Sequence, residues 1–251
     1  MNLVSALSAV ADLLLPRLCR VCGRELGRNE RHICIDCLAG LPLTYHWNLP
    51  VNPMADRFNA LISEQSRNPE KYAFALALFN FAKEGGYRHI TYALKYEGNI
   101  AAGKFFSRML AEKLSVAQSV WEQTPLAQPY FPIDAVVPVP LHWSRRLKRG
   151  YNQAEIIAAE ISKTLGADLR TGLLIRSRNT RTQTRLDVKT KLDNVRGAFA
   201  LKAGAQLHGL KHILLVDDVF TTGSTLINCF LPLRSAAGPG LRISIATLGM
   251  V

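Results

Sequence analysis

Apolar positions along this chain change character near residue 70. After it, short apolar runs recur between helix-period stretches, which is the pattern of a mainly parallel sheet covered by helices. Residues 72–81 are aromatic and apolar, and Gly85-Gly86 follows as a turn, so a strand is expected there. Residues 87–114 read as helix, interrupted at Glu97-Gly98-Asn99, and the Pro- and Gln-rich residues 121–132 read as a surface loop. A buried strand over 133–139 comes next. Asn152, with Glu155 three residues on, resembles a capping box opening a helix whose apolar face carries Ile157, Ile161 and Leu165. Apolar runs at 173–175, 198–201, 213–216 and 243–248 predict further strands. Residues 224–233 predict a helix that Pro232 should end or kink.

Before residue 70 the pattern is looser. Residues 3–15 are apolar but interrupted by Ser5, Ser8 and Asp12 and cut off by Pro16, too short and polar to span a bilayer and without a basic n-region or small-residue cleavage site. This stretch is expected to be a helix of a cytoplasmic protein. Residues 43–69 hold Asn48, Pro50, Asn52, Pro53 and Asn59 with little sustained period, which predicts a connector with one helical turn around residues 58–62. The expected organisation is an N-terminal helix and small module over 1–42, a connector over 43–69 and an α/β domain over 70–251.

Hydrophobic residues make up 48% of the 251 and charged residues 20%, which excludes a disordered, collagenous or disulfide-scaffold chain. The net charge of +12 is concentrated. Arg145, Arg146, Lys148 and Arg149 form one basic segment, and residues 170–196 another with eight basic residues against Asp187 and Asp193, so ten of the twelve excess charges lie in these two places. Such a field suits a polyphosphate or nucleic acid; a pair of solvated loops is the plainer alternative.

Four of the five cysteines fall in two CxxC pairs, Cys19/Cys22 and Cys34/Cys37, separated by eleven residues. Two such knuckles can bring four thiolates onto one tetrahedral Zn²⁺. The alternatives are a redox dithiol, which needs only one pair, and an iron–sulfur centre; His32 is adjacent but surplus to a filled four-sulfur site. Cys229 shares a predicted apolar face with Leu226, Phe230 and Leu233 and is expected to be core.

The run 213–225 reads Ile-Leu-Leu-Val-Asp-Asp-Val-Phe-Thr-Thr-Gly-Ser-Thr. Four branched aliphatics predict a buried strand with Asp217 and Asp218 just beyond its carboxyl end, where ligands of open α/β sheets bind. Thr221, Thr222, Gly223, Ser224 and Thr225 add hydroxyls, a permissive glycine and the free amides of a helix N-terminus, an anion site. A merely structural strand-turn-helix capped by Ser224 is the plainer alternative.

This run resembles the PRPP-binding signature of type I phosphoribosyltransferases. Together with Val137-Pro-Val-Pro-Leu141, Arg149-Gly-Tyr-Asn-Gln153, Thr182-Gln-Thr184, Asn194-Val-Arg-Gly-Ala-Phe199 and the CxxC pairs, the chain resembles the ComF/GntX family of competence-associated phosphoribosyltransferase-like proteins over nearly its whole length. The resemblance implies a type I phosphoribosyltransferase-like parallel sheet flanked by helices, with a small four-cysteine zinc module. It implies that Asp217 and Asp218 hold the ribose hydroxyls and residues 221–225 the 5′-phosphate. The pyrophosphate loop would be Leu141, His142 and Trp143, neutralised by Arg145, Arg146, Lys148 and Arg149. The basic stretch 176–196, with Gln183 and Arg185 as catalytic candidates, would be a lid excluding water from an oxocarbenium-like transition state. His142 and Trp143 are expected to pack or support the loop rather than react.

Two functions follow as expectations. One is Mg²⁺-dependent transfer of phosphoribosyl from PRPP to an acceptor in a protein tied by family to DNA uptake. The other is a non-catalytic protein of the same fold in which the zinc module, with Arg17, Arg20, Arg24, Arg28 and Arg31, docks single-stranded DNA or a helicase partner. A plain zinc-ribbon nucleic-acid binder is disfavoured, because aromatic residues do not interleave with those arginines as stacking would require.

Overall fold

The computed structural model describes residues 17–65, 73–81, 85–123, 130–177, 197–238 and 240–251. The expected helix over 3–15, and Gln183, Arg185 and most of the expected lid, lie outside them.

Five parallel strands form the central sheet in the order β1-β7-β6-β2-β3: β1 Ala75–Asn80, β2 Ala135–Pro138, β3 Asp168–Leu169, β6 His212–Phe220 and β7 Arg242–Met250. β4 Leu174–Arg176 and β5 Phe199–Leu201 pair antiparallel as a separate hairpin. The helices are α1 Ile35–Ala39, α2 Pro53–Gln65, α3 Arg88–Tyr96, α4 Ile100–Glu122, α5 Trp143–Arg149, α6 Gln153–Leu165 and α7 Ser224–Ala237. The sheet flanked by helices with a cysteine module is the architecture the pattern predicts.

Side chains alternate between the two faces of a strand, and the core divides accordingly. Leu214 and Val216 of β6, with Leu76 and Leu78 of β1, pack toward Phe106, Leu110 and Leu114 of α4 and Ile157 and Ile161 of α6. Ile213 and Leu215, with Ala75 and Ala77, face Met54, Phe58 and Ile62 of α2 and Leu226, Phe230 and Leu233 of α7. The alanines of β1 let α2 approach closely. Each fully buried apolar side chain here contributes about 1.5–3 kcal/mol. Cys229 is buried in the second cluster, as expected.

Four local expectations are corrected. The 43–69 segment holds a thirteen-residue helix, α2, rather than one turn. The residues that suggested a loop are its start signals: Asn52 Oδ1 accepts from Ala55 N at 3.0 Å, and Pro53 takes the first helical position, where no N–H is needed. Asn52 and Asn59 also donate to the carbonyls of Ala75 and Ala73, at 3.0 and 2.9 Å, tying α2 to the strand. In the stretch expected to be a surface loop, α4 extends to Glu122, and Tyr130 and Phe131 are buried around Phe74 and Trp121. Pro232 does not end α7, which runs to Ala237. The helix begins one residue earlier than the Ser224 cap predicts, with Gly223 as N-cap at φ +76°.

Candidate functional site

Asp217 and Asp218 lie inside β6 rather than beyond it, since Asp217 still pairs in register with Thr247 of β7. The alternation that divides the core also divides the two acids. Asp218 follows Leu214 and Val216 toward α3, where Lys95 Nζ stands 2.6 Å from its Oδ2 as an ion pair. Asp217 follows Ile213 and Leu215, and its Oδ1 accepts from Asp218 N at 2.9 Å. Burial and the neighbouring Asp218 charge push the Asp217 carboxyl up to about 8, against the opposing pull of Lys95. Burial disfavours the charge on Lys95, but Asp218 and Asp217 outweigh it and hold the ammonium above the ordinary lysine value. One carboxyl is therefore paired with a lysine while its neighbour tends to keep a proton.

Both acids line a cavity of about 500 Å³. From the sequence-predicted set, Leu141, Arg145, Asp217, Asp218 and Thr225 meet there, with the neighbouring Lys148 and Arg149. Thr221, Thr222, Gly223 and Ser224 make the turn that leads into α7 beside it. Thr222 and Ser224 share a 2.6 Å hydroxyl contact, and Asn228 Nδ2 donates to Ser224 O at 2.8 Å. α2 braces this turn: Arg57 donates to Thr221 O and Val251 O, both at 2.6 Å, and lies over the Phe220 ring. A Cβ on Gly223 would stand 2.4 Å from Leu61 Cδ1.

His142, Trp143 and Arg146 do not line the cavity. His142 caps α5, accepting from Ser144 N at 3.3 Å, which is the loop support expected of it. Trp143 is 67% exposed and packs into no core. Arg146 is turned to Glu155, at 2.8 and 3.2 Å, so Glu155 serves that ion pair while Asn152 alone caps α6.

Lys95 and Tyr96 were missed, whereas Asn152 and Gln153 stood in the Arg149–Gln153 motif and Arg176 at the start of the expected lid without being named as ligand contacts. Asn152 joins the two loops of the site, donating to Val139 O at 3.0 Å and capping α6 through Ala154 N at 3.1 Å. Arg176 lies over Phe199, and burial followed by the nearby Arg145 charge lowers its pKa. Cations and two acids thus line one cavity, an arrangement that can take a phosphate and hydroxyls together. For Lys95 and Tyr96 the sequence signal was Lys95-Tyr96-Glu97-Gly98, a lysine ahead of a glycine break.

The cysteine cluster is built locally. Leu18 and Glu25 pair antiparallel across the first knuckle, Gly23 turns at φ +74°, and Glu30 accepts from Gly27 N at 2.7 Å and Ile35 N at 2.6 Å to set the second. The sulfurs of Cys19, Cys22, Cys34 and Cys37 lie within 4.8 Å of one another, with Cys22 and Cys34 3.7 Å apart. Four sulfurs at about 2.3 Å from a tetrahedral Zn²⁺ would be about 3.8 Å apart, so the four thiols could hold one zinc. All are free of disulfides, and Cys34 N and Cys37 N donate to Cys19 and Cys34 sulfurs. His32 is not in the cluster; it packs edge-on against Phe105.

No protein-family model matches the chain. Competence protein F of Haemophilus influenzae is 38% identical over 93 residues, which span 37% of this chain and 41% of that protein. The DNA utilization protein YhgH of Salmonella typhimurium is 30% identical over 213 residues, spanning 83% of this chain and 80% of the relative. This chain belongs to the ComF/YhgH family. YhgH of Escherichia coli K12 is 28% identical over 210 residues with the same coverage. Among solved structures, a glutamine PRPP amidotransferase from Bacillus subtilis overlaps 58% of this chain and 26% of its own at 20% identity and a TM-score of 0.34. An adenine phosphoribosyltransferase from Trypanosoma brucei overlaps 84% and 86% at 12% identity and 0.32. The fold class of this ComF/YhgH chain rests on its own strand order and register. No helix among the described residues is long and apolar enough to cross a membrane.

Proposed function

We propose that this chain binds 5-phosphoribosyl 1-pyrophosphate in the cavity at the end of β6 and transfers its phosphoribosyl group to a nitrogenous acceptor, in the service of DNA uptake and use. The observation that carries the reading is the meeting of Asp217, Asp218 and Thr225 with Leu141, Arg145, Lys148 and Arg149 around one cavity. The names of its relatives, DNA utilization and competence proteins, support the cellular setting.

In the reaction, the C1–oxygen bond of PRPP breaks, pyrophosphate leaves with the electron pair, and an acceptor nitrogen bonds to C1 and releases its proton to water or the departing pyrophosphate. Asp218, oriented by its ion pair with Lys95, accepts from a ribose hydroxyl, and protonated Asp217 can donate to a ligand oxygen. The amides and hydroxyls of residues 221–225 bind the 5′-phosphate, and Arg145, Lys148 and Arg149 offset the charge that grows on the pyrophosphate. Mg²⁺, when bound, supplies further charge neutralisation. It suits ligand oxygens more than a protein cage here, since one of the two carboxylates is already paired with Lys95. The four cysteines hold a structural Zn²⁺.

Calorimetric titration with PRPP and Mg²⁺, then pyrophosphate release with a panel of bases, tests this. Hydrogen bonds to charged groups contribute about 1.5–3 kcal/mol each, so the double variant Asp217→Asn/Asp218→Asn should lose PRPP affinity at least roughly tenfold. Unchanged affinity would remove the acids from the ligand site; binding without pyrophosphate release would leave a sensor rather than a transferase.

A further inference from the structure

α3 carries a row of rings that the cavity at β6 does not account for. His89, Tyr92 and Tyr96 stand at i, i+3 and i+7, which places them on one helix face. The centroids of His89 and Tyr92 are 6.4 Å apart, and those of Tyr92 and Tyr96 4.8 Å. Tyr92 is 50% exposed and Tyr96 62%. Single exposed aromatics need no explanation, but these three line a hollow of about 580 Å³ together with Phe81, Arg88 and Lys95. Lys95 and Tyr96 also line the cation-rich cavity, so the two spaces share a wall. At that wall the planar guanidinium of Arg149 lies 5.3 Å from the Tyr96 ring centre, a stack between the basic helix α5 and the aromatic helix α3. Aromatic and basic residues therefore interleave on α3 and α5, away from the arginines of the cysteine module.

We propose that this aromatic face is the seat of the acceptor: a planar heteroaromatic ring, of the nucleobase class, stacks on Tyr92 and Tyr96 while the sugar phosphate lies across the Lys95–Tyr96 wall in the cavity. Its chemistry is stacking beside anion recognition, the pairing that a ring joined to a phosphorylated sugar requires. The inference rests on the sugar-phosphate reading of the cavity, and it adds where the ring goes and which residues select it. Lys95, fixed on Asp218, stands between the ring and the sugar, where it holds the two parts of the ligand in one orientation.

The test compares adenosine 5′-monophosphate with ribose 5-phosphate by calorimetry on the full chain. They share the sugar phosphate and differ in the ring. A stacked base is worth roughly 1–3 kcal/mol, so the nucleotide should bind about 5- to 150-fold more tightly. In Tyr92→Leu and Tyr96→Leu that ratio should fall toward one, and Tyr92→Phe and Tyr96→Phe should keep it. Both tyrosines are at least half exposed, and thermal melts check that the leucine variants fold. A ratio that survives in the Tyr92→Leu/Tyr96→Leu double variant overturns the aromatic seat while leaving the sugar-phosphate site intact. No binding of ribose 5-phosphate by the parent chain overturns the reading beneath it. Tight binding of a ten-residue oligothymidylate that the leucine variants weaken, with no nucleotide advantage over ribose 5-phosphate, overturns the small-ligand assignment in favour of a strand.

Discussion

The four-cysteine cluster and the acidic cavity are built in opposite ways. The cluster draws all its sulfurs from residues 19–37, and their geometry follows from two knuckles and one glutamate between them. The cavity takes Lys95 from one helix, Arg145 from another, Arg176 from a hairpin and Asp217, Asp218 and Thr225 from a strand and the helix after it. A site of the first kind is written in spacing. One of the second kind exists only when the sheet brings its edges together, and its charges are set by which face of a strand each residue takes.

The largest test of that contrast removes metal. Cys19→Ser/Cys22→Ser should reduce zinc from one per chain to none, because site assembly in zinc-finger peptides carries about 10–16 kcal/mol of apparent binding energy. Cys19, Leu26, Ile33 and Cys34 share a core with Phe74 and Phe106, so the loss should reach beyond the module and lower the melting temperature of the whole chain. Elemental analysis and calorimetry read both effects; full zinc content in the variant, or an unchanged melt, would separate the cluster from the fold.

A smaller effect sharpens the comparison at the cavity. Asp218→Asn leaves the Lys95 ammonium without its partner in a largely enclosed place, and breaking such a pair costs about 3–5 kcal/mol. Urea unfolding should register most of this, and Lys95→Met made in the same chain should recover part of it. A double variant no more stable than Asp218→Asn alone would show that the pair is not the source.

The smallest effect belongs to the neighbouring acid. Asp217 is pushed up to about 8, chiefly by burial, so near neutral pH an amide replaces a carboxyl that is already largely protonated. Asp217→Asn should change stability by about 1 kcal/mol or less at pH 6. The sign of its pH dependence is fixed by the direction of the shift. A carboxyl raised in the folded state stabilises fully below its unfolded value and loses that contribution as pH rises to about 8. Parent stability should therefore decline over this window more steeply than that of Asp217→Asn. Parallel profiles for the two chains would remove the raised carboxyl.

How much of this was readable in the residues depends on range. The strands other than the two-residue edge strand β3, the cysteine pairs and the acidic turn were legible because each is specified within some twenty residues. α2 was not, because Asn52, Pro53 and Asn59 favour loops in isolation and support a helix only when Ala73 and Ala75 offer carbonyls to them. The unlike environments of Asp217 and Asp218 were hidden because β6 runs four residues past its aliphatic segment, so that pleat, not sequence order, decides which acid meets Lys95. Trp143 misled in the other direction: a large apolar residue that the fold leaves in solvent.

The contact between Leu61 and Gly223 has a consequence for anyone varying this protein. At φ +76°, and with any added methyl only 2.4 Å from Leu61 Cδ1, position 223 is closed to larger residues for two separable reasons, backbone conformation and a leucine on another helix. Shortening Leu61 removes the second and not the first. Substitution tolerance at the turn is therefore a joint property of positions far apart in the chain: shortening Leu61 eases the tightest contact, while the Phe220 ring, 3.1 and 3.2 Å from the added carbon, and the left-handed backbone still favour glycine, with asparagine the side chain best suited to that conformation.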